Sequence, residues 1–183
     1  QRTAGRQSRV AGVAATAVAL TVRDTQRSRV YAAEEFVRTL FDRAAQHSSR
    51  VIDFFGAQIT LPPEARFASV DSVQRYIDAV LALPAVAERW PDSGRVAVRQ
   101  RRAAAAAHYE NLDGTGMIAV PARERWALRE LVVLHEIAHH LCGGGGPAHG
   151  SEFVSTFCVL AETVMGAEAG HVLRVVYAKE GVR

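Results

Sequence analysis

The spacing of hydrophobic residues divides much of the chain into helices. Apolar side chains recur every three or four positions in five stretches, which is the period of an α-helix with one buried face. Asp24 or Thr25 suits the cap of the first stretch, and Gly166 suits the end of the fourth. The predicted helices span approximately residues 24–46, 69–84, 121–142, 150–165 and 168–179.

Strands are predicted in the segments between these helices. Residues 51–61 are rich in β-branched and aromatic side chains and end at two prolines, which indicates a strand or a tight pair of strands around their single glycine. Residues 95–102 alternate valine with arginine, as is typical of a strand with one face in solvent. Residues 107–120 predict a hairpin that turns at Asp113 and Gly114. Helices and a small mixed sheet together indicate an α+β fold.

The composition indicates one globular domain. The chain has 183 residues, of which 49% are hydrophobic and 22% are charged, enough to bury a core without disulfides. We divide it into a variable N-terminal extension (residues 1–23) and a single domain (residues 24–183). The apolar run at residues 10–22 is too short and too alanine-rich to span a membrane. We therefore expect a cytoplasmic protein, with export as the alternative.

Cysteine content and charge narrow the function classes. Cys142 and Cys158 are too few for a disulfide framework and form no C-x-x-C pair, so neither a disulfide scaffold nor a zinc ribbon is expected. The formal net charge of +3 does not by itself indicate nucleic-acid binding. A local run of arginines has two interpretations, a solvated strand edge or a surface for nucleic acid or acidic substrates. These arginines are Arg95, Arg99, Arg101 and Arg102.

The most informative stretch holds three histidines and a glutamate. His135 and His139 lie four positions apart with Glu136 between them, the H-E-x-x-H pattern. On a helix the two imidazoles share one face and can bind a single ion, while the carboxylate lies to one side. His149 follows a glycine run that can reverse the chain, and we predict it as the third ligand. Zinc with three protein ligands keeps a position for water, and Glu136 is placed to be the general base.

Alternatives to this ligand set remain open. Glu162, on the following predicted helix, is the rival third ligand, or it accepts a hydrogen bond from a ligand histidine if His149 binds the metal. Cys142 is three residues beyond His139 and so lies near the ligand face. His140 is turned about 100° from His139 and is expected to pack or face solvent.

Two further parts of a hydrolytic site have candidates in the sequence. A developing oxyanion needs a hydrogen-bond donor, and the candidates are His108, Tyr109, His171 and Tyr177. An extended peptide needs a strand edge, and the strand at residues 116–120 is the candidate because it leads directly into the motif helix.

With these motifs the chain resembles zincin metallopeptidases. The order of helix, sheet, hairpin, H-E-x-x-H helix and second helix is similar to the SprT-like and minimal zincin group, over residues 95–165. The matching motif is H-E-x-x-H followed after a loop by H-G-x-x-F, here His149, Gly150 and Phe153. The chain also resembles a family of uncharacterised actinobacterial metallohydrolases, through the phrases RDTQRSRVYAAE, WALRELVVLHEIAHHL and HGSEF. These resemblances imply a zincin-like fold, one zinc ion and a peptide or protein substrate.

The chain differs in two ways from known zincin patterns, and both differences bear on the function we expect. Many SprT-like proteins carry zinc-ribbon cysteines that this chain lacks, which weakens the inference to DNA-linked proteolysis. The metzincin spacing also fails, because Cys142 and Gly145 stand where its glycine and third histidine belong. We therefore expect a zinc-dependent metallopeptidase. The alternatives are a non-catalytic module in which zinc stabilises an interaction surface, and a nucleic-acid-associated protease.

Overall fold

A computed structural model describes residues 23–101, 106–112, 114–121, 127–143 and 146–183. These residues form six helices and five short strands, so the predicted mixed α+β architecture is confirmed. The predictions for residues 1–22, Arg102 and Asp113 lie outside the described residues. The helices are α1 (Arg27–Ala45), α2 (Val70–Leu81), α3 (Pro84–Arg89), α4 (Glu130–Leu141), α5 (Ser151–Met165) and α6 (Ala167–Lys179). The strands are β1 (Val51–Phe54), β2 (Ala57–Thr60), β3 (Val96–Gln100), β4 (His108–Leu112) and β5 (Thr115–Val120).

The strands form two separate sheets. β1 and β2 are an antiparallel hairpin, the tighter of the two forms predicted for residues 51–61. The second sheet has the order β3-β5-β4, with β5 parallel to β3 and antiparallel to β4. The strand predicted to offer its edge, residues 116–120, is therefore wrong in that role, because β5 is hydrogen-bonded on both sides. The edge beside the motif helix belongs to β4.

The motif helix begins later than predicted. Residue 121 was the expected start, but Arg129 still has an extended backbone and α4 begins at Glu130. The cause is a short antiparallel bridge between Arg129 and Arg66. In this bridge the Phe67 N–H donates to the Leu128 carbonyl at 2.9 Å, and the Glu130 N–H donates to the Ala65 carbonyl at 3.0 Å.

Buried acidic side chains fix the first turn of α4. The Glu64 carboxylate accepts hydrogen bonds from the Arg129 guanidinium at 2.7 and 2.5 Å and from the Leu131 N–H at 3.2 Å. The side chains of Arg129 and Glu64 are each only 4% exposed. Glu130 accepts from the Ala65 N–H at 2.8 Å and from the Tyr76 hydroxyl at 2.5 Å. A carboxylate at a helix N-terminus satisfies free N–H groups and complements the helix dipole, so α4 enters the core in a fixed position.

α4 lies inside the molecule, with almost no solvent-facing side. All of its residues except His139 and His140 are buried. It packs against α5, α2 and β4, while α6 packs against α5 and α1. Its apolar side chains, among them Leu131, Leu134, Ala138 and Leu141, lie in this core. Among the helices of the described ranges, none is long and apolar enough to cross a membrane.

The contact between α5 and α6 depends on a residue without a side chain. A Cβ atom at Gly170 would lie 2.6 Å from the Glu162 Cβ and 3.2 Å from the Cys158 carbonyl oxygen. Overpacking of a core contact costs about 1–3 kcal/mol, whereas the better helix propensity of alanine offsets at most about 1 kcal/mol.

We therefore expect Gly170→Ala to lower the free energy of unfolding by about 1 kcal/mol or more, since the carbonyl of Cys158 cannot move aside. Urea unfolding followed by circular dichroism measures this change. Gly146→Ala is the matched control, because nothing lies within 4 Å of a Cβ at that position. Equal stability of the two variants would contradict close packing at Gly170.

Candidate metal centre and active site

α4 presents the two histidines of the motif on one face. The Nε2 atoms of His135 and His139 lie 3.1 Å apart. Two ligands held 2.0–2.1 Å from a tetrahedral ion are separated by roughly 3.3 Å, so the spacing is close to that of a ligand pair. The rigid, buried backbone of α4 sets this spacing.

The turn before α5 brings His149 to the same place. The Gly150 N–H donates to the Pro147 carbonyl at 2.9 Å, and Gly150 is the N-cap residue of α5. His149 is buried, and its ring centre lies 5.4 Å from that of His135 and 4.9 Å from that of His139. One nitrogen from each of these three rings lies within 4.8 Å of the others. The predicted three-histidine group is thus brought together in space and could hold a metal ion.

Two carboxylates near the beginning of the domain orient these rings. Both oxygens of Glu34, on α1, lie 2.9 Å from Nδ1 of His135. Asp24, just before α1, lies 2.5 Å from Nδ1 of His149 through Oδ2. Asp24 was predicted as a helix cap, but the N-cap residue of α1 is Gln26, and the Asp24 carboxylate faces His149 instead. A carboxylate on the far nitrogen of a histidine is the usual support for a metal ligand.

These hydrogen bonds determine which nitrogen of each ring is left to bind an ion. With the Nδ1 protons of His135 and His149 directed to carboxylates, we infer that the neutral form of each ring carries its free lone pair on Nε2. Nε2 of His149 is buried and has no hydrogen-bond partner among the described atoms. A buried nitrogen without a partner is unfavourable unless something else satisfies it. The donor set therefore fits a metal that accepts three imidazoles.

The protonation of the three histidines differs with their surroundings. Burial, together with the neighbouring imidazoles of His135 and His149, lowers the pKa of His139 to about 2. Burial also lowers the pKa of His149, although Asp24 opposes the change. For His135 burial acts in the same direction, but the carboxylate of Glu34 outweighs it and raises the pKa. His135 is therefore the member of the group that holds a proton most readily, and a metal ion bound here would compete with a proton mainly at His135.

Glu136 lies beside this group without joining it. Its side chain is buried, which raises the pKa of its carboxyl group, while the His135 ring lowers it and Glu34 raises it further. The backbone amide of Tyr109 and the Arg101 guanidinium limit the rise. A carboxylate with a raised pKa is a better acceptor of a proton near neutral pH.

Two cavities meet at Glu136. One, of about 250 Å³, extends along α1 towards Glu35 and Arg38. The other, of about 310 Å³, contains His139 and His149. A third cavity, of about 570 Å³, lies on the far side of His139 towards Trp90. The three histidines, here called the metal group, therefore lie next to open space on both sides of Glu136.

Aromatic rings enclose the buried side of the group. Phe153, the aromatic residue of the H-G-x-x-F motif, has its ring centre 4.7 Å from His135, 4.3 Å from His139 and 5.0 Å from His149. Phe157 and Tyr31 also contact His135. This packing restricts the rotation of the imidazoles and excludes water from the interior side.

Several sequence candidates lie elsewhere. Glu162 is 44% exposed and forms an ion pair with Arg174, so neither its role as a ligand nor its role as a histidine acceptor agrees with its position. The residues that accept from the histidines are Asp24 and Glu34. Cys142 does not belong to the metal group, and the Nδ1 atom of His140 lies 3.1 Å from the Tyr109 hydroxyl. His140 therefore packs, as predicted.

The arginine run has internal partners. Arg99 forms an ion pair with Glu110 at 2.8 Å, and Arg101 donates to the Ala106 carbonyl at 2.9 Å. For these two arginines, the contacts agree with the interpretation of a solvated strand edge, since β3 lies at one edge of its sheet.

Sequence reasoning missed the contribution of α1. Arg27, Tyr31, Glu34 and Arg38 follow a spacing of four, three and four residues, which places them on one stripe of the helix. All four line the 250 Å³ cavity. A polar stripe beside the buried Val30, Ala33 and Val37 is the signal that could have identified them, although the same pattern occurs on ordinary solvated helices.

The hydrogen bonds between Glu34 of α1 and His135 can be tested by measuring metal affinity. Glu34→Gln keeps the side-chain volume but removes the charge that orients His135, so we expect metal affinity to fall about 10- to 100-fold. A competition titration with a chromogenic chelator measures the change. Glu35→Gln is the matched control, because Glu35 is exposed on the same helix, and the carboxylates that bond to the histidines are Glu34 and Asp24. Equal affinities for the two variants would contradict the role of Glu34.

Comparison with protein-family models, with curated proteins and with solved structures gives no match for this chain. The site itself combines three converging imidazoles, two carboxylates that bond to them, and a buried glutamate that lines two cavities.

Proposed function

We propose that this protein is a zinc-dependent hydrolase with a zincin-like fold, and that it cleaves peptide bonds. The observation that carries the proposal is the position of Glu136. This buried carboxylate lies next to three converging imidazoles and lines both cavities that adjoin them. A group that only stabilised the fold would need neither a glutamate of raised pKa nor space for a second molecule.

Zinc is the metal we propose, because three neutral imidazoles with one position left for water are typical of catalytic zinc. Such an ion, when bound, polarises a carbonyl group and lowers the pKa of water. His135, His139 and His149 would hold it, and Glu34 and Asp24 would keep two of these rings in the binding tautomer.

Glu136 supplies the acid and base chemistry. In the proposed reaction its carboxylate accepts a proton from the attacking water, whose oxygen forms a bond to the carbonyl carbon. The same carboxyl group then gives the proton to the amide nitrogen as the C–N bond breaks. The products are a carboxylic acid and an amine, which exchange a proton in water to give a carboxylate and an ammonium ion, and Glu136 returns to its starting state. Its raised pKa suits both transfers.

The outer edge of β4 is the proposed binding surface for the substrate backbone. β4 is the last strand in the order β3-β5-β4, and among the described strands none pairs with its other side. His108 and Tyr109 of β4 line the cavity that contains Glu136 and His139. An extended peptide can add to such an edge through main-chain hydrogen bonds, which places its carbonyl groups beside the metal group.

Two observations favour catalysis over the alternative of a zinc-stabilised interaction module. Within the described residues the metal group has three members and no fourth protein ligand that would close the coordination sphere. The cavities at Glu136 also give a substrate access to the site. The resemblance to SprT-like and minimal zincins supports the same choice, through the shared H-E-x-x-H and H-G-x-x-F motifs.

Replacement of the general base tests the function. Glu136→Gln retains the size of the side chain but cannot accept the proton, so we expect kcat to fall about 100- to 10,000-fold. Cleavage of a library of fluorogenic peptides by zinc-loaded protein measures the activity, and mass spectrometry of the products locates the cleaved bond.

The zinc content of both proteins provides the control. Glu136 is not a ligand in the proposed site, so Glu136→Gln should bind zinc as tightly as the original protein. If the variant retains full turnover with equal zinc content, Glu136 is not the base and the proposed mechanism fails. If the original protein binds no zinc, the proposed metal is wrong.

A further inference from the structure

Tyr31 occupies an unusual position for a large aromatic side chain. It lies on α1, one turn before Glu34, and its ring is stacked on His135 at 5.8 Å between ring centres. The same ring meets His149 edge-on at 5.1 Å. Although it packs on two histidines of the metal group, Tyr31 is still 36% exposed. Its exposed part borders both cavities that share Glu136.

Arg27 holds the phenol ring from the solvent side. Its guanidinium carbon lies 5.5 Å from the centre of the Tyr31 ring, one helical turn earlier on the same stripe of α1. Within the described residues Arg27 forms no ion pair. The ring of Tyr31 is thus enclosed between a cation and two imidazoles, which restricts the directions that its hydroxyl group can take.

The residues that the sequence suggested as hydrogen-bond donors to a developing oxyanion are less suitable than Tyr31. His171 packs against Phe54 on another part of the molecule, with 6.1 Å between ring centres. The Tyr177 hydroxyl donates to Glu34 at 2.7 Å inside the core, and the Tyr109 hydroxyl lies 3.1 Å from His140. His108 lines one of the two cavities, whereas Tyr31 lines both.

From this position we propose that Tyr31 is a catalytic residue whose hydroxyl donates a hydrogen bond to the oxygen of the scissile carbonyl as that oxygen gains negative charge. The assignment rests on the proposed hydrolase function. Tyr31 transfers no proton in this role, because the proton of the attacking water passes through Glu136 to the leaving nitrogen. A phenol, with an ordinary pKa near 10, remains a donor at neutral pH. Arg27 is then a positioning residue, which acts through the orientation of the ring.

Tyr31→Phe tests the proposal, because it removes the hydroxyl and keeps the ring that packs on the histidines. Loss of one donor to a developing oxyanion lowers kcat by about 100-fold, and a donor used only in the transition state leaves KM nearly unchanged. For a fluorogenic peptide that the protein cleaves, we therefore expect Tyr31→Phe to lower kcat and to leave KM nearly unchanged. Zinc affinity should not change, since the Tyr31 hydroxyl supports no ligand.

A second measurement is independent of turnover. A phosphinic peptide carries a tetrahedral group with negatively charged oxygens at the position of the cleaved bond, so it resembles the transition state. We expect Tyr31→Phe to weaken its binding to the zinc-loaded protein about 100-fold in calorimetry, in proportion to the loss of kcat. Thr39→Val is the matched control, because it removes a hydroxyl of the same helix that bonds to the Glu35 carbonyl and lines none of the three cavities. It should bind the phosphinic peptide as the original protein does.

Three results would overturn the assignment. In the first, Tyr31→Phe retains both kcat and phosphinic-peptide affinity. In the second, Tyr109→Phe shows the expected losses and Tyr31→Phe does not. In the third, zinc affinity falls together with kcat in Tyr31→Phe, which identifies a structural role. Failure of the hydrolase proposal gives a different result from these three. The zinc-loaded protein without any substitution would then neither cleave peptides nor bind the phosphinic peptide. The assignment of Tyr31 would fail with it.

Discussion

The hydrogen bonds between Glu34 and His135 join the two parts of the molecule on which the site depends. His135 is on α4, in the centre of the core, and Glu34 is on α1, 101 positions earlier in the chain. The Tyr177 hydroxyl of α6 donates to the same carboxylate at 2.7 Å. One buried carboxylate thus connects three helices. Burial alone would raise the pKa of Glu34, yet His135 and the two hydrogen bonds hold it below its ordinary value.

A buried network of polar side chains is unfavourable unless each of its donor and acceptor atoms has a hydrogen-bond partner. Glu34 has partners for both oxygens, and His135 has one for Nδ1. Among the ring nitrogens of the three histidines, Nε2 of His149 is buried without a partner in the described part of the chain. Metal binding would therefore complete a network that the core already supports. Asp24 is also only partly satisfied. Its Oδ2 atom bonds to His149, while its buried Oδ1 has no partner among the described residues.

The sequence predicted what depends on local spacing. The four-residue interval of His135 and His139 and the turn before α5 were sufficient to place three histidines together, and hydrophobic periodicity located five of the six described helices. What it could not predict depends on pairing between distant segments. The start of α4 is set by the bridge to Arg66, and the strand order that makes β4 an edge is set by the parallel pairing of β3 with β5. Asp24 and Glu34 were missed for the same reason, since their partners lie more than 100 positions away.

These long separations have a consequence for the order of events during synthesis. When a ribosome has produced residues 1–150, all three histidines exist, but Tyr177 of the Glu34 network does not. The backbone of Arg183 also exchanges hydrogen bonds with the side chain of Gln26, which donates in turn to the His149 carbonyl. The ligand geometry therefore reaches its final form only after α6 has docked. An ion in the proposed site would therefore find its complete surroundings only in a domain whose α6 has docked, and it would oppose unfolding of the entire domain rather than of one loop.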